Sequence, residues 1–435
     1  MLLQPFLTDL DTRAAVKGSR DPLGVQPIWT RFGRRIVGNL TTVSTSVRDF
    51  TALLMGYYFV QRIEDAGGTE APMSVMLKWE QLAAYARAEI NKDWTFRGTE
   101  RVKKALGAGS RVRIAADSSA QILSNQRIYG ISGVYTVAAR SSGFLVGEPL
   151  RLAPVAHKLV EDVYLPLFAE AGMREATEIV SRLGESHFVL DVRGNGRRLL
   201  EPIGKLLQRR VRAAERGVYQ DGLLKGGPLD RTAGIQEVLA HVLSKSLDDP
   251  DWRLASGSMK RLERAARSQG AQGERLADHL NRIRTCESLL APAVACFSLL
   301  MGSEGQTPRQ VATTMRKHWG ESVSSIDAGA VSALESEVSE ATGDAESGAK
   351  WTRTAQAFAD GQYELAISLL LDLNCAVMKA RAGTAAWIEL RGDYLRVRFR
   401  DDDNPSLPAR DELRDYWVHS YFIHALRMML LELRA

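Results

Sequence analysis

"RIYGISGVYTVAARSSGFLVGEPLRLAPVAHKLVEDVY", residues 127–164, carries the strongest fold signal in the chain. Two short helical pieces rich in small residues come first, an apolar ribbon follows, and a helix announced by Leu-Ala-Pro closes the stretch. Gln121 to Tyr129 reads as one helix and Thr136 to Phe144 as the next, with Gly143 near its C-terminus. Gly130-Ile-Ser-Gly133 between them is a tight link or a loosely helical continuation. Phe144-Leu-Val and Pro149-Leu-Arg-Leu152 read as a two-stranded ribbon turning at Gly147-Glu148. Pro154 then opens the last helix, where its missing N–H costs nothing. This is the order of a winged helix, which sets its third helix in the major groove and lays its ribbon along phosphates. The competing reading is a packed helical subdomain that touches only protein.

The string SGFLVGEPLRLAPVAHKLVEDVY resembles the wing of MarR-like winged helices. In that family the third helix ends in Gly plus an apolar pair, and the wing returns through Arg-Leu-Thr-Pro-x-Gly into a long helix. The resemblance covers about residues 74–168. This chain departs from it with Ala153 for the threonine and Ala156 for the glycine, and the first change removes a helix N-cap. The resemblance implies that Thr136, Arg140, Ser141 and Ser142 lie on the presented face of the third helix. It also implies Arg151 on the wing, with Arg127 and Lys158 flanking it. Arginine holds phosphate or pairs bidentately with guanine, whereas Ser and Thr add neutral hydrogen bonds. A single Arg on the presented helix implies weak base specificity.

A chain of 435 residues is too long for one ordinary core. Its 45% hydrophobic and 25% charged residues are those of a globular protein. The expected fold class is mainly α, a multi-domain helical protein with a winged-helix module and a C-terminal β-hairpin. Four regions are expected: an N-terminal helical region over 1–66, the winged-helix-like domain over 73–171, a helical domain with a basic helix over 172–301, and a C-terminal helical domain with the hairpin over 302–435. Asp65-Ala-Gly-Gly-Thr-Glu-Ala-Pro72 marks the first boundary. Arg111-Val-Arg-Ile alternates like a short strand. Ala386 to Phe399 reads as the hairpin, turning at Arg391-Gly-Asp393, and Asp411 to Leu433 as a long final helix. Ala328 to Lys350 is an exposed helix or a flexible segment.

The net charge of +5 permits an anionic partner, so the local distribution has to decide. RGNGRRLLEPIGKLLQRRVRAAERG, residues 193–217, is the most positive stretch. On one helix, Lys205, Arg209, Arg212 and Arg216 share a face opposite Leu199, Ile203, Leu206, Leu207 and Val211, and Arg198 precedes them. Such a ladder suits a phosphate backbone, with counterion release making binding salt-dependent. The competing reading is a solvated face that pairs with acidic neighbours.

Chemistry is not evident. Arg193-Gly-Asn-Gly-Arg lacks the Walker spacing and its Lys-Ser/Thr. Asp191, Glu201 and Lys205 have the wrong spacing for a two-carboxylate nuclease. The seven histidines are scattered, and His419 and His424 are poorly spaced for two metal ligands on one helix face. Asp401-Asp-Asp403 reads as a solvated turn. Cys286, Cys296 and Cys375 read as buried free thiols of a reducing cytosol. The N-terminus meets acidic residues too early for a signal peptide, and the most apolar runs fall short of a membrane span.

The expectation is therefore a cytoplasmic, non-enzymatic subunit of a bacterial multiprotein complex that contacts nucleic acid mainly through the phosphate backbone and takes no cofactor. DNA restriction, repair or phage defence is its expected setting. Duplex DNA is the expected nucleic-acid partner, with protein subunits docking on the C-terminal helical region and no membrane. The alternative is a scaffold or adaptor with no nucleic-acid contact.

Overall fold

The computed structural model describes residues 21–173, 176–381, 385–399 and 407–434. Asp401–Asp403 and the first twenty residues lie outside them. Helix dominates at 60% against 5% strand, and each sheet found among the described residues is a single pair of strands.

The first helices are α1 (Val25–Arg34), α2 (Val47–Asp65), α3 (Pro72–Glu89) and α4 (Thr99–Ala108). After β1 (Arg111–Ala115) comes the stretch quoted above, as α5 (Gln126–Tyr129), α6 (Ile131–Ser141), β2 (Leu145–Val146), β3 (Arg151–Leu152) and α7 (Pro154–Leu159). A π turn at Val160–Tyr164 joins α7 to α8 (Leu165–Glu170). Next come α9 (Thr177–Gly184), β4 (His187–Asp191), α10 (Arg197–Leu206), α11 (Ala213–Tyr219), a second π turn at Gln220–Leu224, and α12 (Ile235–Ser244). The remainder is α13 (Ser256–Arg267), α14 (Gly270–Met301), α15 (Pro308–Trp319), α16 (Ala328–Ser332), α17 (Glu335–Thr342), α18 (Ser347–Ala359), α19 (Tyr363–Ala380), β5 (Ile388–Arg391), β6 (Tyr394–Val397) and α20 (Ile423–Arg434).

Two compact units share this chain, each from non-contiguous segments. The first comprises Arg34–Trp252, Ala266–Leu276 and the residues from Phe422 on. The second comprises the described residues up to Gly33, Arg253–Ala265 and the described residues between Ala277 and Tyr421.

The first unit is built around α2 and α3. Apolar residues on all sides of α2 predict burial on most sides, and Phe50, Leu53, Leu54, Met55 and Phe59 are fully buried. Trp79 of α3 donates its indole N–H to the Ala52 carbonyl of α2 at 2.7 Å and packs edge-on against Phe59. The buried charges of α3 have partners, as a low-dielectric interior demands. Arg87 pairs with Asp49 and Asp93, both at 2.7 Å, and Lys78 pairs with Glu70 at 2.9 Å. The strand expected at Arg111–Ile114 is present, and it pairs antiparallel with β4, Arg111 opposite Asp191. This second strand falls inside the domain expected to be helical over 172–301. Phe188 and Leu190 point inward while Val189 is exposed, so His187–Asp191 follows the two-residue period of a half-buried strand.

In the second unit, α15, α18 and α19 pack around Trp319, Phe358 and Tyr363. The β5–β6 hairpin is where the sequence puts it, Ile388 opposite Val397. Ala328 to Lys350 is three helical pieces (α16, α17 and the start of α18) that turn Val331, Leu334 and Val338 inward. The long final helix expected from Asp411 begins only at Ile423. Before it, the Val418 and His419 amides donate to the buried Glu287 carboxylate at 2.6 and 2.9 Å, which holds that backbone out of a helix. Glu287 also takes the Tyr421 hydroxyl and the His419 ring at 2.8 Å, so His419 belongs to the core. Cys286 and Cys296 are buried as expected, but Cys375 is exposed. Its neighbour Asn374 takes the inward position and binds the Pro22 carbonyl and the Trp387 amide. By length and composition α14 is apolar enough to cross a membrane, against the expectation that the most apolar runs fall short of a span; 67% of its most apolar stretch is buried within the protein.

Candidate nucleic-acid interface

The small residues of the opening stretch have a steric reason. A Cβ on Gly133 would lie 2.1 Å from the Ile128 carbonyl oxygen, so only glycine lets α5 run so closely into α6. Asn125 caps α5, its side chain accepting from the Ile128 amide. Helix α6 starts at Ile131 rather than Thr136, because its first amide has a partner: Ile131 N donates to the buried Glu80 carboxylate at 2.8 Å. Gln126 donates to the other oxygen of Glu80 at 2.8 Å and to the Leu77 carbonyl at 2.9 Å. Burial raises the Glu80 carboxyl to about 7, against the lowering effect of these two donors. One side chain of α3 thus holds both α5 and α6.

Gly143 ends α6, as the sequence predicts. Its φ of +78° is left-handed, and a Cβ there would meet the Pro228 ring at 2.5 Å. The ribbon follows with Leu145 opposite Leu152 and Val146 opposite Arg151. Both leucines are buried while Val146 and Arg151 face solvent. Ala153 gives α7 no side-chain cap.

The presented face of α6 differs from the one expected. Gly133, Val137 and Arg140 are the exposed positions, and Val137 is 63% exposed. Thr136 is half-buried and donates to the Ser132 carbonyl at 2.6 Å. Ser141 is half-buried. Ser142 is buried, its hydroxyl accepting from Asn39 at 2.9 Å. Arg140 sits 3.5 Å from Glu148 across the ribbon turn, and Arg151 sits 3.7 Å from Glu64. Arg127 and Lys158 are exposed.

Charge is concentrated here. Between residues 97 and 158 the cations are Arg97, Arg101, Lys103, Lys104, Arg111, Arg113, Arg127, Arg140, Arg151 and Lys158, against only Glu100, Asp117 and Glu148. All ten except the half-buried Arg97 are exposed. That local excess of seven is larger than the net charge of the whole chain. Lys103, Lys104, Arg111 and Arg113 were not among the residues singled out from sequence, although the alternation of Arg111-Val-Arg-Ile already turned two cations to one side of a strand.

Comparison with family models, with curated proteins and with solved structures finds no match.

The second basic stretch is not one helix. Helix α10 stops at Leu206, residues 208–212 are extended or bent, and α11 restarts at Ala213. The cause is the buried Arg48 of α2. Its guanidinium donates to the Gln208 carbonyl at 2.5 Å and the Arg210 carbonyl at 2.7 Å, and it pairs with Glu215 at 2.7 Å. Glu215 in turn accepts from the Arg212 amide at 2.7 Å, which starts α11. Backbone carbonyls drawn to a buried cation cannot continue an i to i+4 ladder. Lys205, Arg209, Arg212 and Arg216 therefore do not share one helix face. Lys205 pairs with Glu170 at 3.2 Å, Arg212 folds its guanidinium onto the Leu206 carbonyl at 3.2 Å, and Arg216 is half-buried. Arg198 and Arg209 remain exposed.

Proposed function

We propose that the protein is a nucleic-acid-contacting subunit of a multiprotein complex and that its first unit holds duplex DNA through phosphates. The observation that carries this reading is the run of exposed cations over residues 97–158, presented on α4, β1, α5, α6, the β2–β3 ribbon and α7. Lys104, Arg127 and Lys158 are exposed and make no ion pair among the described residues, so they have little to lose on meeting phosphate. The helix–helix–ribbon–helix order supports a winged-helix mode of contact. Val137 at the centre of the presented face favours backbone contact over base reading, because it offers a base edge no donor or acceptor.

The test is fluorescence anisotropy of the full chain with a duplex and with the same single strand, across a salt series. A steep salt dependence is expected, and Lys104→Glu with Arg127→Glu and Lys158→Glu should lower the log–log slope by up to about 3, near 0.9 per lost phosphate contact. Unchanged affinity and slope in this triple variant would remove these residues from the interface. A second reading has its own observation. Ile128, Tyr129, Val137, Val146 and Val155 are 44–63% exposed on the same elements, a pattern that suits a protein partner. If duplex and single strand both fail to bind at low salt, that reading replaces the first.

A further inference from the structure

The second unit holds a cavity of about 580 Å3, within the size range of small-molecule and cofactor sites. Its lining is unusually cationic. Lys260 comes from α13, Arg284 from α14, and Arg410 and Arg414 from the segment that precedes α20. The single carboxylate in the lining belongs to Asp327, and it is engaged in capping α16 through the Ala330 amide at 2.9 Å. Arg284 is neutralised by Glu263 at 2.9 Å. Lys260, Arg410 and Arg414 make no ion pair among the described residues, and all three are exposed. Like charges that converge without a counter-charge of their own favour a bound anion.

Two further features narrow the ligand. Hydroxyl groups of Ser256, Ser322, Ser324 and Ser325 join the lining, and the buried Ser325 hydroxyl has no hydrogen-bond partner among the described residues. Buried polar atoms are rarely left so, and an oxygen-rich ligand would satisfy it. Tyr416 and Trp417 form an aromatic wall beside the two free arginines. Trp417 is held in place by its indole N–H, which donates to the His419 carbonyl at 2.5 Å. A fixed aromatic surface next to several cations suits a flat base that carries phosphates. A pocket of this volume matches a small molecule rather than a nucleic-acid strand.

We propose that this cavity binds a nucleoside polyphosphate, with its phosphates on Lys260, Arg410 and Arg414 and its base against Tyr416 and Trp417. This site is separate from the residues assigned to nucleic acid, and the proposal stands or falls independently of that assignment. The experiment is titration of the full chain with fluorescent N-methylanthraniloyl ATP and GTP, followed by competition with unlabelled ATP, GTP and inorganic tripolyphosphate. Saturable micromolar binding is expected, displaced by at least one unlabelled nucleotide at tenfold lower concentration than by tripolyphosphate. Arg410→Glu with Arg414→Glu should weaken it by tenfold or more, and Lys260→Glu, on a different element, should act in the same direction. All three side chains are exposed, so far-UV circular dichroism and the melting temperature should match the parent protein. If either variant misfolds, the other provides the test. Trp417→Leu should weaken nucleotide but not tripolyphosphate. No saturable binding up to millimolar nucleotide, parental affinity in the charge-reversed variants, or tripolyphosphate competing as well as nucleotide would each overturn the proposal.

Discussion

Replacing Glu80 by Gln should remove a pH dependence of stability that the fold creates. Glu80 is buried beneath the junction of α5 and α6, and burial lifts its carboxyl from 4.5 to about 7. A carboxyl whose folded value is raised binds more protons in the native than in the unfolded state between those two values. Stability is therefore highest below pH 4.5 and falls as pH rises toward and through 7. At about 1.4 kcal/mol per pH unit, the Glu80 contribution becomes less favourable by about 2.5 kcal/mol between pH 5 and pH 8. Glutamine keeps an acceptor for the Ile131 amide and never ionises, so its contribution is flat. Urea unfolding of both proteins, followed by tryptophan fluorescence, gives the difference at each pH and cancels every other titrating group. The variant should gain about 2.5 kcal/mol on the parent protein from pH 5 to pH 8. A difference that stays constant, or that shrinks as pH rises, would refute a carboxyl raised by burial at the root of α6.

Other substitutions probe the remaining arrangement. Arg48→Met removes the nearer of the two guanidinium groups that face the buried Glu215 carboxylate and should cost about 3–5 kcal/mol in urea unfolding, well above an ordinary core change. Arg212→Glu sets a second carboxylate against Glu215 and should lower the melting temperature, whereas Arg209→Glu on the exposed bend should leave it within about 1 °C. An equal melting temperature for both would mean that the bend is not held as described. Of the three thiols, only Cys375 should react with Ellman's reagent in the native protein. Burial raises the Cys286 and Cys296 thiols far above their usual range, and mass spectrometry of the labelled peptides would show any exception.

Local signals along the chain carried much of the fold. The apolar surround of α2, the glycine that stops α6, the two leucines of the ribbon, the proline that opens α7 and the alternation of β5 and β6 each act within a few residues. Period and turn chemistry alone therefore locate these elements. The cation run over residues 97–158 was equally present in the sequence, but its two arginines on β1 gain meaning only beside α4, which packs against that strand. What could not be read were the outcomes settled by partners distant in sequence. RRLLEPIGKLLQRRVRAAERG has the period of one continuous helix, yet Arg48, some 160 residues earlier, takes two of its carbonyls and breaks it. The final helix loses its first turns to Glu287, and β4 is a strand because β1 lies beside it. The 580 Å3 cavity draws its cations from three separate segments, none of which forms a motif by itself. Composition and period located most of the helices and the positive charge. Only the tertiary structure decided where those helices end and which cations converge, because a buried ion pair or carboxylate outweighs local propensity and its partner is brought to it by the rest of the chain.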